Sequence, residues 1–360
     1  MSSINSLVAR TQQKIRLTRL DLHFRKELRK VEKQSSIADN QFTASMTAQA
    51  RDFYKQFGFN NIDLRWHNYL FAVTGRFYVD YIPENFYHCV IEPLYTRGSD
   101  DLEDKAYMCR MLPGIHMVPN VIKNIKGVFF DENENVLSED DVLRYLNGLQ
   151  CNMIIKPSRQ TGGGGTGVQL IESGNFDKAI LDKYKSDYIV QKCILQHEQY
   201  KEFNPSSVNT EKIISMFFEG EVYILTSILR VGAPGSHTDT ASTGRGYTVG
   251  INENGQLNKV GYSVFGESRS ENVAGKQFQS IRLLAHEKIC AEIKKAHKLL
   301  SRFEIISWDF AVEENGEPVL IEYNFNYPDV MIYQMNNGPL FGSLTSRVLE
   351  DVKKRQKEKD

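Results

Sequence analysis

No run of apolar residues in this 360-residue chain approaches the ~18 needed to cross a bilayer, so a membrane-spanning helix is not expected. Residues Met1 to Lys14 also lack the apolar core of a secretory leader. Cysteine is scarce. Cys89, Cys109, Cys151, Cys193 and Cys290 are scattered, odd in number and form no C-x-x-C pair. That pattern disfavours a disulfide framework and a zinc site, and points to reduced thiols in the cytoplasm. An excess of charge is missing too. Lys plus Arg total 44 against 45 Asp plus Glu, a formal charge of −1, which argues against a protein that coats nucleic acid. With 41% hydrophobic and 25% charged residues the chain is ordinary globular material rather than disordered. At ~150 residues per domain the length suggests about two domains, or one large domain with an appendage.

The neutral total hides an asymmetry. Residues 1–34 carry Arg10, Lys14, Arg16, Arg19, Arg25, Lys26, Arg29, Lys30 and Lys33 against Asp21, Glu27 and Glu32, so this segment is +6 and the rest of the chain −7. Leu17, Leu20, Phe24, Leu28 and Val31 recur at three- and four-residue steps, which predicts a helix with one apolar face. Two readings stay open here. The helix docks on the rest of the protein with its basic face solvated, or it is drawn to an anionic membrane surface or a partner protein.

Residues 40–57 read as helical up to Gly58, and the aromatic stretch 62–95, interrupted by Pro83 and Pro93, as packed and irregular. That stretch lacks interleaved basic residues, so it is expected to be core rather than a base-stacking platform. Asp104-Lys105 heads a predicted short helix, Ala106 to Leu112. From Gly127 the pattern becomes α/β, beginning with a hairpin that turns at Asp131 to Asn135. Ser138-Glu-Asp-Asp141 has capping-box spacing and opens a helix to Leu149. Strands are predicted at 152–157, 168–171, 188–195, 213–230 and 247–251, then a long helix with Ile281, Leu284, Ile289, Ile293 and Leu300 inside. Two last strands follow at 305–312 and 318–325, and a charged tail from Glu350 is expected to fray.

The residues 307–326 carry the most chemistry. Asn315-Gly316 is a strong two-residue hairpin signal. With that turn, Asp309 stands opposite Glu322, and Glu322 shares a face with Asn324. Two facing carboxylates and an amide form an oxygen-only cluster that suits a hard cation, usually Mg²⁺ on nucleotide phosphates. Upstream, Met153 to Lys156 is a short apolar strand with one lysine, followed by Arg159-Gln-Thr-Gly-Gly-Gly-Gly-Thr-Gly167. Four consecutive glycines let backbone N–H groups wrap a phosphate chain, and Lys156 can neutralise phosphate oxygens. No lysine follows the glycines and a strand rather than a helix comes next, so this is neither a P-loop nor a dinucleotide fingerprint. A flexible linker is the plain alternative.

In order, these pieces resemble the ATP-grasp superfamily over about residues 104–345. They are Asp104-Lys105 with Leu112 to Pro119, Ile155-Lys156 with the glycine loop, Tyr188 to Ile194, and Asp309, Glu322 and Asn324. Asn204 to Thr210 and Leu229-Arg230-Val-Gly232 are similar to its sugar-transfer-associated family, which is related to glutamate ligases and also has a helical, aromatic N-terminal part. The resemblance implies an α+β ATP-grasp fold, two α+β subdomains clasping ATP, with a helical N-terminal extension. The parts would be 1–103 helical and aromatic, 104–190 the lid-side subdomain, 191–350 the subdomain with the metal site, and 351–360 the charged tail.

By the same resemblance Lys105 and Lys156 hold the phosphates and Gly162, Gly163, Gly164 and Gly165 close over them. Gln191, with the backbone of Lys192 to Ile194, meets the adenine. Asp309, Glu322 and Asn324 hold one or two Mg²⁺, or Mn²⁺. Arg230 steadies a γ-phosphate or acyl phosphate, with Lys212 and Asp239 in the same catalytic set. Lys212 stands where that family usually has Arg, which keeps the charge but loses the bidentate fork. Thr240 and Gly244-Arg245 depart from its pattern after Asp239, in a region expected to touch the acceptor.

The implied activity is an ATP- and Mg²⁺-dependent carboxylate–amine ligase working through an acyl phosphate. Its acceptor would be a free or lipid-linked sugar acid of cell-surface polysaccharide synthesis. A kinase acting on a hydroxyl, or a regulatory nucleotide-binding module, are the alternatives. No nucleic-acid partner is expected. The basic helix offers association with the inner face of the membrane or with a glycosyltransferase. His197 is either a ligand contact or structural.

Overall fold

The computed structural model describes residues 2–34, 42–96, 102–159, 166–236, 246–326 and 328–358. Four helical pieces lead the chain: α1 (Ser2–Gln34), α2 (Ala44–Gln56), α3 (Arg65–Thr74) and α4 (Glu84–Phe86), the last running through a π turn (Tyr87–Ile91) into α5 (Glu92–Tyr95). The stretch 62–95 is therefore largely helical, not irregular. Neither proline breaks the stretch: Pro83 caps α4, and Pro93 sits inside the continuous helical run, where the π turn beside it accommodates its missing N–H.

The apolar stripe of α1 docks on the body. Leu28 is fully buried with Trp66, Tyr69, Leu70, Tyr81, Tyr262, Met331 and Met335, and Phe24 and Val31 pack against the same cluster. Phe24 also stacks on His88, ring centroids 4.4 Å apart, and Asn85 donates to Asp21 at 2.7 Å.

After α6 (Met108–Met111) a first sheet begins: β1 (Asn120–Ile125), β2 (Val128–Asp131), β3 (Val136–Leu137), β4 (Met153–Pro157), β5 (Gln169–Ile171) and β6 (Tyr188–Lys192). It is antiparallel, in the order β3-β2-β1-β6-β4-β5. Helices α7 (Glu139–Gly148) and α8 (Lys178–Tyr184) supply its core with Val142, Leu146 and Leu181 against Val121, Met153, Ile155 and Val190. Ser138 caps α7 as predicted, accepting from the Asp141 N–H.

The second sheet follows α9 (Glu198–Lys201). Its strands are β7 (Thr210–Phe218), β8 (Glu221–Val231), β9 (Tyr247–Ile251), β10 (Leu257–Tyr262), β11 (Ser268–Arg269), β12 (Ile305–Val312) and β13 (Pro318–Asn324), in the order β11-β10-β9-β8-β7-β12-β13. Helix α10 (His286–Leu299) packs Ile289, Ile293 and Ala296 on one face, against Ile213, Leu229, Val249 and Trp308. Helices α11 (Val330–Asn337) and α12 (Thr345–Lys357), with the N-terminal helices, cover the other face over Ile214, Ile228 and Ile305. Both faces being covered, β12 is buried along its whole length and shows no polar alternation.

Two expectations change here. Helix α10 starts only at His286, and Leu284 is 47% exposed rather than inward. Residues 350–357 of the charged tail do not fray: they are the last two turns of α12, where Arg355 pairs with Glu304 and Asp351.

Candidate active site

The site is built where β12 and β13 meet the end of β4. Asp309 does stand opposite Glu322, and Ser307 opposite Asn324. The route to that register differs from the expected two-residue turn. Glu313 and Glu317 close the hairpin, with Gly316 at φ +85°, so the loop has three residues and the strands start one residue out of the predicted step. A bulge between Asp309 and Phe310 then restores it, leaving Ile321 as the extra residue. Two deviations cancel, and the carboxylates meet.

Next to Asp309 in the sheet lies Lys212, whose Nζ is 2.6 Å from Asp309 Oδ2. Lys105 reaches over from the first subdomain, with its Nζ 3.3 Å from Glu322 Oε2. Its own backbone N–H donates to the Ser158 carbonyl at 2.9 Å, which ties it to the end of β4. Lys156, on β4, is buried beside both. Burial lowers its ammonium pKa to about 8, reinforced by Lys105 and opposed by Glu322 and Asp309. Glu322 moves the other way. Burial would raise it, but Lys105, Lys156 and Lys212 together hold it at about 2. At neutral pH the cluster is therefore three ammonium groups around two carboxylates. Such a net-positive, half-buried place suits a polyanion.

Arg230 ends β8 on the neighbouring strand, opposite Thr210 and Thr248. Its charge also reaches Tyr333 of α11, whose phenol burial pushes well up, with Asp309 adding to the rise.

Gln191 is placed differently from the resemblance. Its side-chain amide points inward and donates at 2.9 Å both to the Val118 carbonyl and to Asn120 Oδ1, while Asn120 donates to the Lys105 carbonyl at 3.0 Å. Gln191 thus braces the Lys105 segment. Lys192 is exposed, and Ile194 packs near Val118, Ala311 and Val319. His197 is structural: it caps α9, its Nδ1 accepting from the Gln199 N–H at 3.1 Å. Gly162, Gly163, Gly164, Gly165 and Asp239 lie outside the described residues.

The donors fit a hard cation. Asp309, Glu322 and Asn324 offer oxygen only, and Mg²⁺ commonly takes one or two carboxylates with phosphate oxygens. Among the described residues no three His, Cys, Asp or Glu groups gather in a way that could hold a metal ion, so nucleotide oxygens would have to complete the shell. Lys105 and Lys212 now sit against the two acids and would be free to turn to phosphate once a cation took their place.

Two features escaped the sequence reading. Glu103 accepts from the Phe325 and Asn326 N–H groups at 2.6 and 3.1 Å, clamping the end of β13 beside Lys105. His88 is buried between Glu84 at 3.0 Å and Glu92 at 3.2 Å, and these carboxylates raise it to about 9 although burial opposes them. Glu84 also accepts from Val330 and Met331 N–H, joining the N-terminal helices to α11. The four-residue spacing Glu84, His88, Glu92 was the signal for it.

The fold has distant likenesses among solved structures. The ATP-grasp ligase PsnB, complexed with precursor peptide PsnA2 and AMPPNP, is 11% identical over 72% of this chain and 62% of its own, with a TM-score of 0.43. N5-carboxyaminoimidazole synthetase from Staphylococcus aureus, complexed with ADP, is 12% identical over 66% and 46%, TM-score 0.38. The D-alanine-D-alanine ligase from Coxiella burnetii is 11% identical over 73% and 61%, TM-score 0.39. This chain spans less than two thirds of the length of each. No curated protein matches it. The sequence profile of one family, however, covers residues 99–354, from just before Lys105 to beyond the metal-type hairpin. On that match, the chain belongs to the sugar-transfer associated ATP-grasp family.

Proposed function

We propose that this protein is an ATP- and Mg²⁺-dependent ligase that joins a carboxylate to an amine. The observation that carries this reading is the convergence of Lys105 and Lys156 from the first subdomain with Lys212, Asp309, Glu322 and Asn324 from the second. Positive charge from two bodies facing a hard-cation donor set is what phosphoryl transfer requires of a protein, whose part is positioning and charge stabilisation.

In this reading Lys105 and Lys156 bind the β- and γ-phosphates, and Lys156, at about 8, remains largely protonated at neutral pH. Bound Mg²⁺, held by Asp309, Glu322 and Asn324, supplies charge neutralisation at the phosphates. Arg230 and Lys212 face the acceptor carboxylate, which takes the γ-phosphoryl group to become an acyl phosphate, with ADP leaving. An amine then attacks the acyl carbon and phosphate departs. Asp239 would act on the acceptor side. The acceptor we favour is a sugar acid, free or lipid-linked, in cell-surface polysaccharide synthesis; family membership supports it.

Helix α1 supports a peripheral membrane partner. With its apolar stripe docked, Ile15 (48% exposed) and Leu22 (61%) face outward. Arg19, Lys26, Arg29 and Lys33 fall on the same arc at 100° per residue, and no acid does.

The test is ADP release with Mg²⁺ and ATP over a panel of uronic acids and amines. Release that requires both a carboxylate and an amine is expected. Phosphorylation of a hydroxyl compound instead would make the protein a kinase, and ATP binding without any turnover would make it a regulatory module.

A further inference from the structure

Midway along β8 a groove of about 540 Å³ lies between the second sheet and the N-terminal helices. Its floor is formed by β8, β9 and β10, one wall by Thr74 and Arg76 after α3, the other by Asn336 and Asn337 of α11. Thr226, which lines it, lies four residues and about 14 Å along β8 from Arg230, on the same face of the sheet.

Among the described residues no Asp or Glu lines it, while Arg76 and Lys259 do. Arg76 rests on the Asn336 carbonyl at 3.3 Å and on the Met335 carbonyl, both uncharged. Among the described residues neither cation pairs with a carboxylate. Arg76 is therefore half-buried against the C-terminal carbonyls of α11, which hold it in place, and with no carboxylate beside it among the described residues it can still meet an anion.

The other walls are amides held in fixed positions. Asn258 Nδ2 donates to the Asn336 carbonyl at 3.0 Å and to Asn337 Oδ1 at 2.9 Å, and Asn337 Nδ2 donates to Thr226 Oγ1 at 2.9 Å. These side chains meet directly over Gly250, where a Cβ would collide with both asparagines. Asn336 spends its Nδ2 on Thr248 Oγ1 at 2.8 Å and the Ile332 carbonyl at 2.9 Å. Its Oδ1, on a residue only 2% exposed, accepts from nothing among the described residues. A buried acceptor left over in a polar cavity calls for a donor from a guest. Val260 and Tyr262 add an apolar strip.

We propose that this groove binds an anionic carbohydrate. Its carboxylate or phosphate would lie against Arg76 and Lys259, its hydroxyls would meet the asparagines, with one donating to Asn336 Oδ1, and the C–H face of its ring would lie on Tyr262. A volume in the usual range for small-ligand sites accommodates such a guest. Binding here does not depend on the ligase reading.

The experiment is a titration of the full chain, without nucleotide, followed by calorimetry and saturation-transfer NMR. Trigalacturonate and glucose 6-phosphate are the acidic probes and maltotriose the neutral control. Saturable binding of at least one acidic probe is expected, at least about tenfold tighter than maltotriose, since a charge-assisted contact contributes about that factor. The tighter of the two names the anionic group. Arg76→Gln should weaken binding about tenfold. Because Arg76 also touches α11, Lys259→Glu, at an exposed strand position, is the variant that spares the fold. It should abolish binding while leaving ATP binding untouched. Equal affinity for maltotriose, no saturable binding of either acidic probe, or an unimpaired Lys259→Glu variant would overturn the proposal.

Discussion

Replacing Glu322 with glutamine should pull apart two properties that usually fall together. In the parent protein three ammonium groups, Lys105, Lys156 and Lys212, face two carboxylates, Asp309 and Glu322. Glu322→Gln removes one negative charge and one oxygen donor of full charge. For Mg²⁺-dependent turnover this is a loss. Removing a metal ligand should lower kcat at least about 100-fold, or about 2.7 kcal/mol of transition-state stabilisation. For ATP without metal it is a gain. A unit charge about 7 Å from a phosphate interacts by about 2 kcal/mol at an effective dielectric of 20. With the Glu322 side chain a quarter exposed, solvent screening leaves about half of that, so the affinity for ATP in EDTA should rise roughly fivefold. The fold should persist, since Lys105, only 12% exposed, loses its partner at a cost of up to about 3 kcal/mol, within the stability of an ordinary domain. ADP release at saturating Mg²⁺ reads the first effect and titration calorimetry in EDTA the second. Turnover within about threefold of the parent would refute the metal assignment, a threefold change being only about 0.7 kcal/mol. Weaker binding of metal-free ATP would show that Glu322 does not act on the nucleotide through its charge.

The histidines give a second expectation. His67 and His297 are buried and neutral, each lowered by burial to about 4. The His297 network requires this, since Trp308 donates to Ser215 Oγ, which then donates to His297 Nδ1 at 2.7 Å. Between pH 6.5 and 4 the unfolded chain takes up more protons, so stability should fall as pH falls through that window. His88 and His286, raised to about 9 and 10 by their carboxylates against burial, gain stability in the opposite direction but are almost fully charged by pH 7. The net loss from these four histidines between pH 7 and 5 should be about 2 kcal/mol. Asp329, raised to about 7 by burial with Glu84 beside it, gains about as much over the same range. The loss should therefore show as a falling denaturant midpoint in the Asp329→Asn variant, and a flat profile there would contradict it. For helix α1, co-sedimentation with phosphatidylserine vesicles at low salt should weaken by about 1 kcal/mol for each of Arg19, Lys26, Arg29 and Lys33 changed to Gln, and these differences should shrink in high salt, where the charges are screened. Binding that ignores these charges would remove the membrane as partner.

Much of the site was legible because its signals are local. Asn315-Gly316 marks a hairpin that joins the strands of Asp309 and Glu322, and Ser138 three residues before Asp141 starts a helix. Other features needed the third dimension. Pro83 and Pro93 look like breakers until Pro83 is seen to begin a helix and Pro93 to sit beside its π turn. The hairpin reached its register through a longer turn and a bulge, which the sequence spacing alone did not show. Gln191 turned inward because Asn120 and Val118 wait beneath it.

The amino-acid sequence by itself determined the donors: the lysines, the paired acids, and the apolar stripe that makes α1 a docked helix. Only the tertiary structure decided that Lys105 and Lys156 cross from the first sheet to meet Glu322. It alone brought Arg76, Lys259 and Asn336 around one groove from three distant segments. The physical reason is that charge and hydrogen bonding act over a few ångströms of space, and only packing turns separation along the chain into such closeness.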